Sequence, residues 1–129
     1  MPISFYIEND PVMLRLGEAY FHTKRFKHLR IIEEDAFHFV ERCHDTFELI
    51  VIDLFADDKV PEVFTQPGFL EKLNCLMEEG SMLLFNMIVK TSDQKKQFEQ
   101  LQDFFQFQNG TLNILVPDDT NKVIYWQKG

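Results

Sequence analysis

Apolar and β-branched residues dominate positions 47–52 and stop at Asp53, after which Asp57, Asp58, Lys59 and Pro61 mark a polar loop. This is the pattern of a buried parallel strand. In open α/β sheets, ligands bind beyond the carboxyl ends of such strands, so Asp53 stands where a functional carboxylate would. Further apolar runs lie at 3–7, 29–32 and 81–89. Between the runs, apolar residues recur at helical spacing. Val12, Leu16, Ala19 and Tyr20 follow Asp10-Pro11, and Phe37, Phe39, Val40 and Cys43 follow Asp35. Phe69, Leu70, Leu73, Leu76 and Met77 follow Pro67, and Phe98, Leu101 and Phe105 follow Thr91-Ser92.

The punctuation agrees with these periods. Asp10, Asp35 and Thr91 or Ser92 are N-cap residues, and Pro11 and Pro67 suit a first helical turn. Gly80 reads as the glycine that ends the third helix. Asn109-Gly110 signals a turn, and the segments 111–116 and 122–126 read as a hairpin across Pro117-Asp118-Asp119-Thr120-Asn121. The order β-α-β-α-β-α-β-α-β-β predicts an α/β fold: a doubly wound, mostly parallel sheet with a C-terminal antiparallel hairpin. With no repeat or linker, residues 1–129 read as a single domain.

Composition narrows the functions. A chain of 129 residues, 45% hydrophobic and with 14 Phe, can fill one core. Its formal net charge of −8 repels phosphate backbones and anionic lipid, which sets aside nucleic acid and membrane surfaces as partners. A neutral or cationic small molecule fits better. Cys43 and Cys75 lack metal-ligand spacing and read as buried, reduced thiols. No stretch reads as a signal peptide or a membrane span, so the expected location is cytoplasmic. The four histidines form no metal motif, and no metal is expected. Asp53, Asp57 and Asp58 read as a solvated acidic loop, and Phe104, Phe105 and Phe107 mainly as core.

One further pattern spans residues 3–126. Glu8-Asn9-Asp10-Pro11 is followed by a helix, then by Ile31-Ile32-Glu33-Glu34-Asp35-Ala36. Asp53-Leu54-Phe55 with Val60-Pro61 comes next, and then residues 73–80 and Leu84-Phe85-Asn86. In order and spacing this resembles the spermidine synthase-like branch of the S-adenosylmethionine-dependent methyltransferase superfamily. The resemblance implies a truncated Rossmann-like methyltransferase fold and assigns roles. Glu8 would hold the ribose hydroxyls of a nucleoside ligand, and Asp35, with Ala36 beside it, would meet the adenine. Asp53 would hold and deprotonate an attacking amine. S-adenosylmethionine or its decarboxylated form is the implied cofactor.

The chain departs from that family at its start, where a strand and a glycine-rich loop are expected. Gly17, Gly68, Gly80, Gly110 and Gly129 include no G-x-G pair. Four expectations follow. Residues 3–7 pair directly with 47–53 where the family's first strand would lie. Cofactor binding is weak or absent. The chain is a catalytically incomplete methyltransferase or spermidine synthase-like protein, the alternative being a non-catalytic oligomeric or partner-binding module of the same fold. It forms a homodimer to cover apolar surface, with Phe104, Phe105 and Phe107 contributing. A receiver-like phosphoacceptor reading, built on Glu8, Asp10 and Asp53, is weaker, because residues 111–116 lack a strand-tip lysine.

Overall fold

The computed structural model describes residues 4–8, 19, 29–53 and 61–129. The chain divides into two compact units, Met1–Cys43 and His44–Gly129. In the first, β1 (Ser4–Glu8) and β2 (Leu29–Glu33) pair in parallel, with Ser4 opposite Leu29 and Glu8 opposite Glu33. The helix α1 (Ala36–Arg42) follows, capped by Asp35 and burying Phe39 and Val40. Of the helix predicted around Val12–Tyr20, only Ala19 falls within the described residues, and it is helical.

The second unit holds β3 (Phe47–Ile52), a 3₁₀ turn (Glu62–Thr65), α2 (Pro67–Cys75), β4 (Met77–Ile88), α3 (Ser92–Gln106), β5 (Gly110–Leu115) and β6 (Asn121–Lys128). Its sheet runs β3-β4-β6-β5. The β3–β4 pair is parallel, and β6 runs antiparallel to both β4 and β5. The predicted α/β architecture and C-terminal hairpin are therefore present.

Side-chain alternation sorts the sheet into two faces. On one, Ile52, Leu83, Phe85, Met87, Ile124 and Trp126 are all buried. The helix α3 packs here: the Phe105 ring lies 5.0 Å from Trp126, and Lys122 Nζ stands 5.3 Å from the centre of the Phe98 ring. Lys128, also on this face, donates through Nζ to the carbonyls of Asn74 and Met77, each at 2.8 Å, tying β6 to the end of α2. Leu70, Leu73 and Leu101 complete a core closed on its helical side. Phe105 thus belongs to the core as expected, whereas Phe107 is 86% exposed.

Four expectations change. Among the described residues the strand pairs are β1–β2 in the first unit and β3–β4, β4–β6 and β5–β6 in the second, and the expected pairing of residues 3–7 with 47–53 is not among them. The strand leading to Asp53 lies at the edge of the second unit's sheet and is not buried throughout: Ile52 is buried, but Leu49 is 54% and Val51 59% exposed. Gly80 does not end α2. The helix closes at Cys75, where the Leu76 N–H bonds back to the Leu73 carbonyl, and β4 begins at once. Gly80, at φ +86°, lies in an irregularity of β4, where Phe47 pairs with Met77 but Leu49 pairs with Met82. The Glu78 N–H donates to Ser81 Oγ across it. Glycine takes that left-handed backbone without a Cβ clash, so the residue type was informative although the element was not. Finally, Cys75 is exposed and Cys43 only half-buried; both are free thiols.

Candidate functional site

Asp53 is the residue after β3, at the carboxyl end of the parallel pair. Because Ile52 pairs with Phe85, the next residues along, Asp53 and Asn86, are brought side by side. Asn86 donates through Nδ2 to Asp53 Oδ1 at 3.4 Å. Its own Oδ1 is buried and has no hydrogen-bond partner among the described residues. Asp53 itself is exposed. The solvent-accessible acceptor here is therefore the Asp53 carboxylate, suited to an ammonium or amine N–H and oriented by an amide whose own oxygen faces inward. Sequence reading missed the role of Asn86. The available signal was a primary amide inside the otherwise apolar run 82–89.

The other candidate residues belong to the first unit. Glu8 is the last residue of β1, and the parallel register puts Glu33 directly across from it, so two acids end adjacent strands. Asp35 stands two residues beyond β2, where its Oδ1 accepts from the N–H groups of Phe37 at 2.9 Å and His38 at 3.3 Å. Those bonds occupy one carboxylate oxygen and fix the helix start. Ala36 is the first residue of α1 and is half-buried. Beside them, Arg42 holds Glu34 through Nε (3.0 and 3.1 Å) and Nη2 (2.7 Å). The hydrogen bonds from Arg42, and then its charge, lower the Glu34 pKa below the ordinary carboxylate value. That commits Glu34 to a structural pair and leaves Glu8 and Asp35 as the candidates at this end. Asp57 and Asp58 lie outside the described residues. Among the described ones, no three His, Cys, Asp or Glu side chains gather as metal ligands would.

No protein-family model matches the chain. The Drosophila melanogaster protein described as an eEF1A lysine and N-terminal methyltransferase homolog is 23% identical over an alignment covering 92% of this chain and 19% of that protein. The chain thus spans about a fifth of the length of this curated relative. Among solved structures, human methyltransferase-like protein 13 in complex with SAH superposes with a TM-score of 0.82 at 16% identity. The match covers 98% of this chain and 61% of that one. A probable spermidine synthase from Corynebacterium glutamicum ATCC 13032 matches at TM-score 0.72 and 21% identity, covering 96% and 46% of the two chains. The chain therefore has the fold of the S-adenosylmethionine-dependent methyltransferases, and the resemblance read from the residues holds at that level. Among the described residues, no helix is long and apolar enough to cross a membrane.

Proposed function

We propose that the chain is a methyltransferase- or spermidine synthase-like protein that receives the nucleoside part of S-adenosylmethionine or a derivative. In this reading Glu8 accepts from the ribose hydroxyls, and Asp35 and Ala36 meet the adenine. Asp53, oriented by Asn86, holds an acceptor amine and takes its proton. The observation that carries the reading is the exposed Asp53 carboxylate at the β3 tip, held at 3.4 Å by Asn86, within a fold that superposes at TM-score 0.82 on a protein solved with SAH. An amine acceptor also accords with the lysine and N-terminal methyltransferase description of the Drosophila relative.

The residues fit the nucleoside end of such a cofactor and not its amino-acid end. Carboxylates suit hydroxyl and amino donors, but a cofactor carboxylate needs clustered backbone N–H donors, and the sequence has no G-x-G loop to supply them. Each missing charge-assisted hydrogen bond weakens binding by about 1.5–3 kcal/mol. Two or three together weaken affinity by about two to six orders of magnitude. These 129 residues alone therefore bind the cofactor poorly and do not turn over.

Titration of the chain with SAH, followed by calorimetry and by amide NMR shifts, tests both halves. Millimolar SAH is expected to move the amides around Glu8, Asp35 and Ala36, with no micromolar heat signal. Shifts confined to other residues would overturn the site. Micromolar affinity would overturn the incompleteness.

A further inference from the structure

Asn109-Gly110 stands at the junction of α3 and β5. Its chemistry differs from that of the other asparagines. Asn9, Asn74, Asn86, Asn113 and Asn121 precede Asp, Cys, Met, Ile and Lys, each with a Cβ that crowds its own backbone nitrogen. Glycine has no Cβ, so the Gly110 nitrogen can approach the side-chain carbonyl carbon of the asparagine before it. Asn109 is an exposed bend residue, and water reaches it.

Strand register decides whether that nitrogen is available. In an antiparallel ladder, hydrogen-bonded and non-hydrogen-bonded residue pairs alternate. Gly129 donates its N–H to the Asn109 carbonyl at 2.9 Å, which makes Asn109 and Gly129 a hydrogen-bonded step. The next pair, Gly110 with Lys128, is then of the other kind, and the Gly110 N–H points away from β6. The β5–β6 ladder thus grips the chain beside Gly110 and leaves the nucleophilic nitrogen out. This arrangement is internal to the second unit.

The same glycine is seated against the core. A Cβ on Gly110 would overlap the Gln127 carbonyl oxygen and lie 2.7 Å from Trp126 Nε1, and Trp126 is fully buried. The main chain at Gly110 therefore meets the indole with no room for an added carbon. An extra backbone atom just before Gly110 would displace it from that seat.

We propose that Asn109 is a deamidation site whose isoaspartate product loosens β5 from the sheet. The Gly110 nitrogen gives its proton to water and attacks Cγ of Asn109. The N–Cγ bond forms, the Cγ–Nδ2 bond breaks, and ammonia leaves as a succinimide closes. Water then opens the ring. Breaking the N–Cγ bond yields aspartate. Breaking the bond from nitrogen to the main-chain carbonyl carbon yields isoaspartate, whose link to Gly110 runs through Cγ and is longer by a methylene. Each product carries a new carboxylate, and no oxidant or reductant takes part. Only isoaspartate shifts Gly110 against Lys128 and Trp126, because only it lengthens the main chain. The site is independent of the nucleoside reading, since it needs neither cofactor nor enzyme.

The test incubates the full chain, folded and in urea, in water enriched in heavy oxygen, and maps its peptides by mass spectrometry. In the folded chain, heavy oxygen is expected at residue 109 at least about tenfold faster than at any other asparagine, because only there does glycine follow. The rate should rise with pH, and Asn109→Gln should suppress it, since the longer side chain closes a less favourable ring. Incorporation in urea but not in the folded chain would overturn the proposal, because the fold would then be holding the nitrogen back. The isoaspartate form, separated by chromatography, is expected to exchange its β5 amides faster than the parent. Asn109→Asp, which adds the charge without the methylene, should keep the parent's exchange. An isoaspartate form with parental protection of β5, or an Asn109→Asp variant that loses as much, would overturn the loosening.

Discussion

Asn86 donates its side-chain amide to Asp53 across 3.4 Å, joining residues 33 positions apart at the carboxyl end of the parallel pair. The bond orients an exposed carboxylate without burying it, as a binding group requires and a core group does not. Asp53→Ala is therefore expected to leave stability within about 0.5 kcal/mol of the parent, as for other exposed sites. The Asn86 side-chain amide resonances should nonetheless move. Urea unfolding and side-chain amide NMR check the two halves, and a large loss of stability would show Asp53 to be structural.

Trp126 of β6 and Gly110 at the start of β5 approach each other closely. Trp126 is fully buried against Phe105. A Cβ added to Gly110 would overlap both the Trp126 indole and the Gln127 carbonyl oxygen. The carbonyl is backbone and cannot swing aside, so Gly110→Ala is expected to destabilise by about 1–3 kcal/mol through overpacking. Trp126→Ala should lose about 3–5 kcal/mol by leaving a cavity. Because the two changes strike one contact, a double-mutant cycle should show non-additivity. Denaturant melts of the three variants measure it.

The start of α3 is reciprocal. Thr91 Oγ1 accepts from the Gln94 N–H at 3.1 Å, and Gln94 Oε1 accepts from the N–H groups of Lys90 at 2.7 Å and Thr91 at 3.0 Å. Thr91→Ala is expected to reduce stability by about 1 kcal/mol. Gln94→Ala should act in the same direction, since it leaves two backbone donors of a part-buried turn without that acceptor. Thermal unfolding of both variants is the measurement, and hydrogen exchange should quicken first in the opening turn of α3.

Asp118 organises the hairpin loop. Its Oδ1 accepts from the N–H groups of Thr120 at 2.8 Å and Asn121 at 2.7 Å, with the Thr120 hydroxyl and the Asn121 amide also donating to the carboxylate. These bonds, led by that from the Asn121 side chain, hold its pKa well below the ordinary carboxylate range. A depressed carboxylate stabilises the fold above the ordinary aspartate value, and that contribution drains away as pH falls from there toward the folded-state value. Hydrogen exchange at β5 and β6 should therefore be insensitive to Asp118→Ala in its pH dependence above that range. Below it, the parent should lose protection more steeply than the variant. Identical acid profiles would refute the role.

Nearest-neighbour chemistry made much of this chain legible. Asp35, Thr91 and Pro67 mark helix starts because a cap or a first-turn proline acts within four residues of itself. The hairpin was readable for the same reason, and the order of elements was enough to indicate the fold. Asp53 could be placed at a strand tip because a strand ends where its apolar run ends. Other features depend on which strands meet. The segment 47–52 has the composition of a central strand, yet β3 is an edge, since burial depends on neighbours and not on the run itself. Gly80 carries the same signal for a helix end as for a kink in a strand, because both need a positive φ, and only the register of β4 against β3 separates them. The Asn86–Asp53 bond and the helix-covered face of the sheet likewise arise from pairing between distant segments, which tertiary structure alone decides.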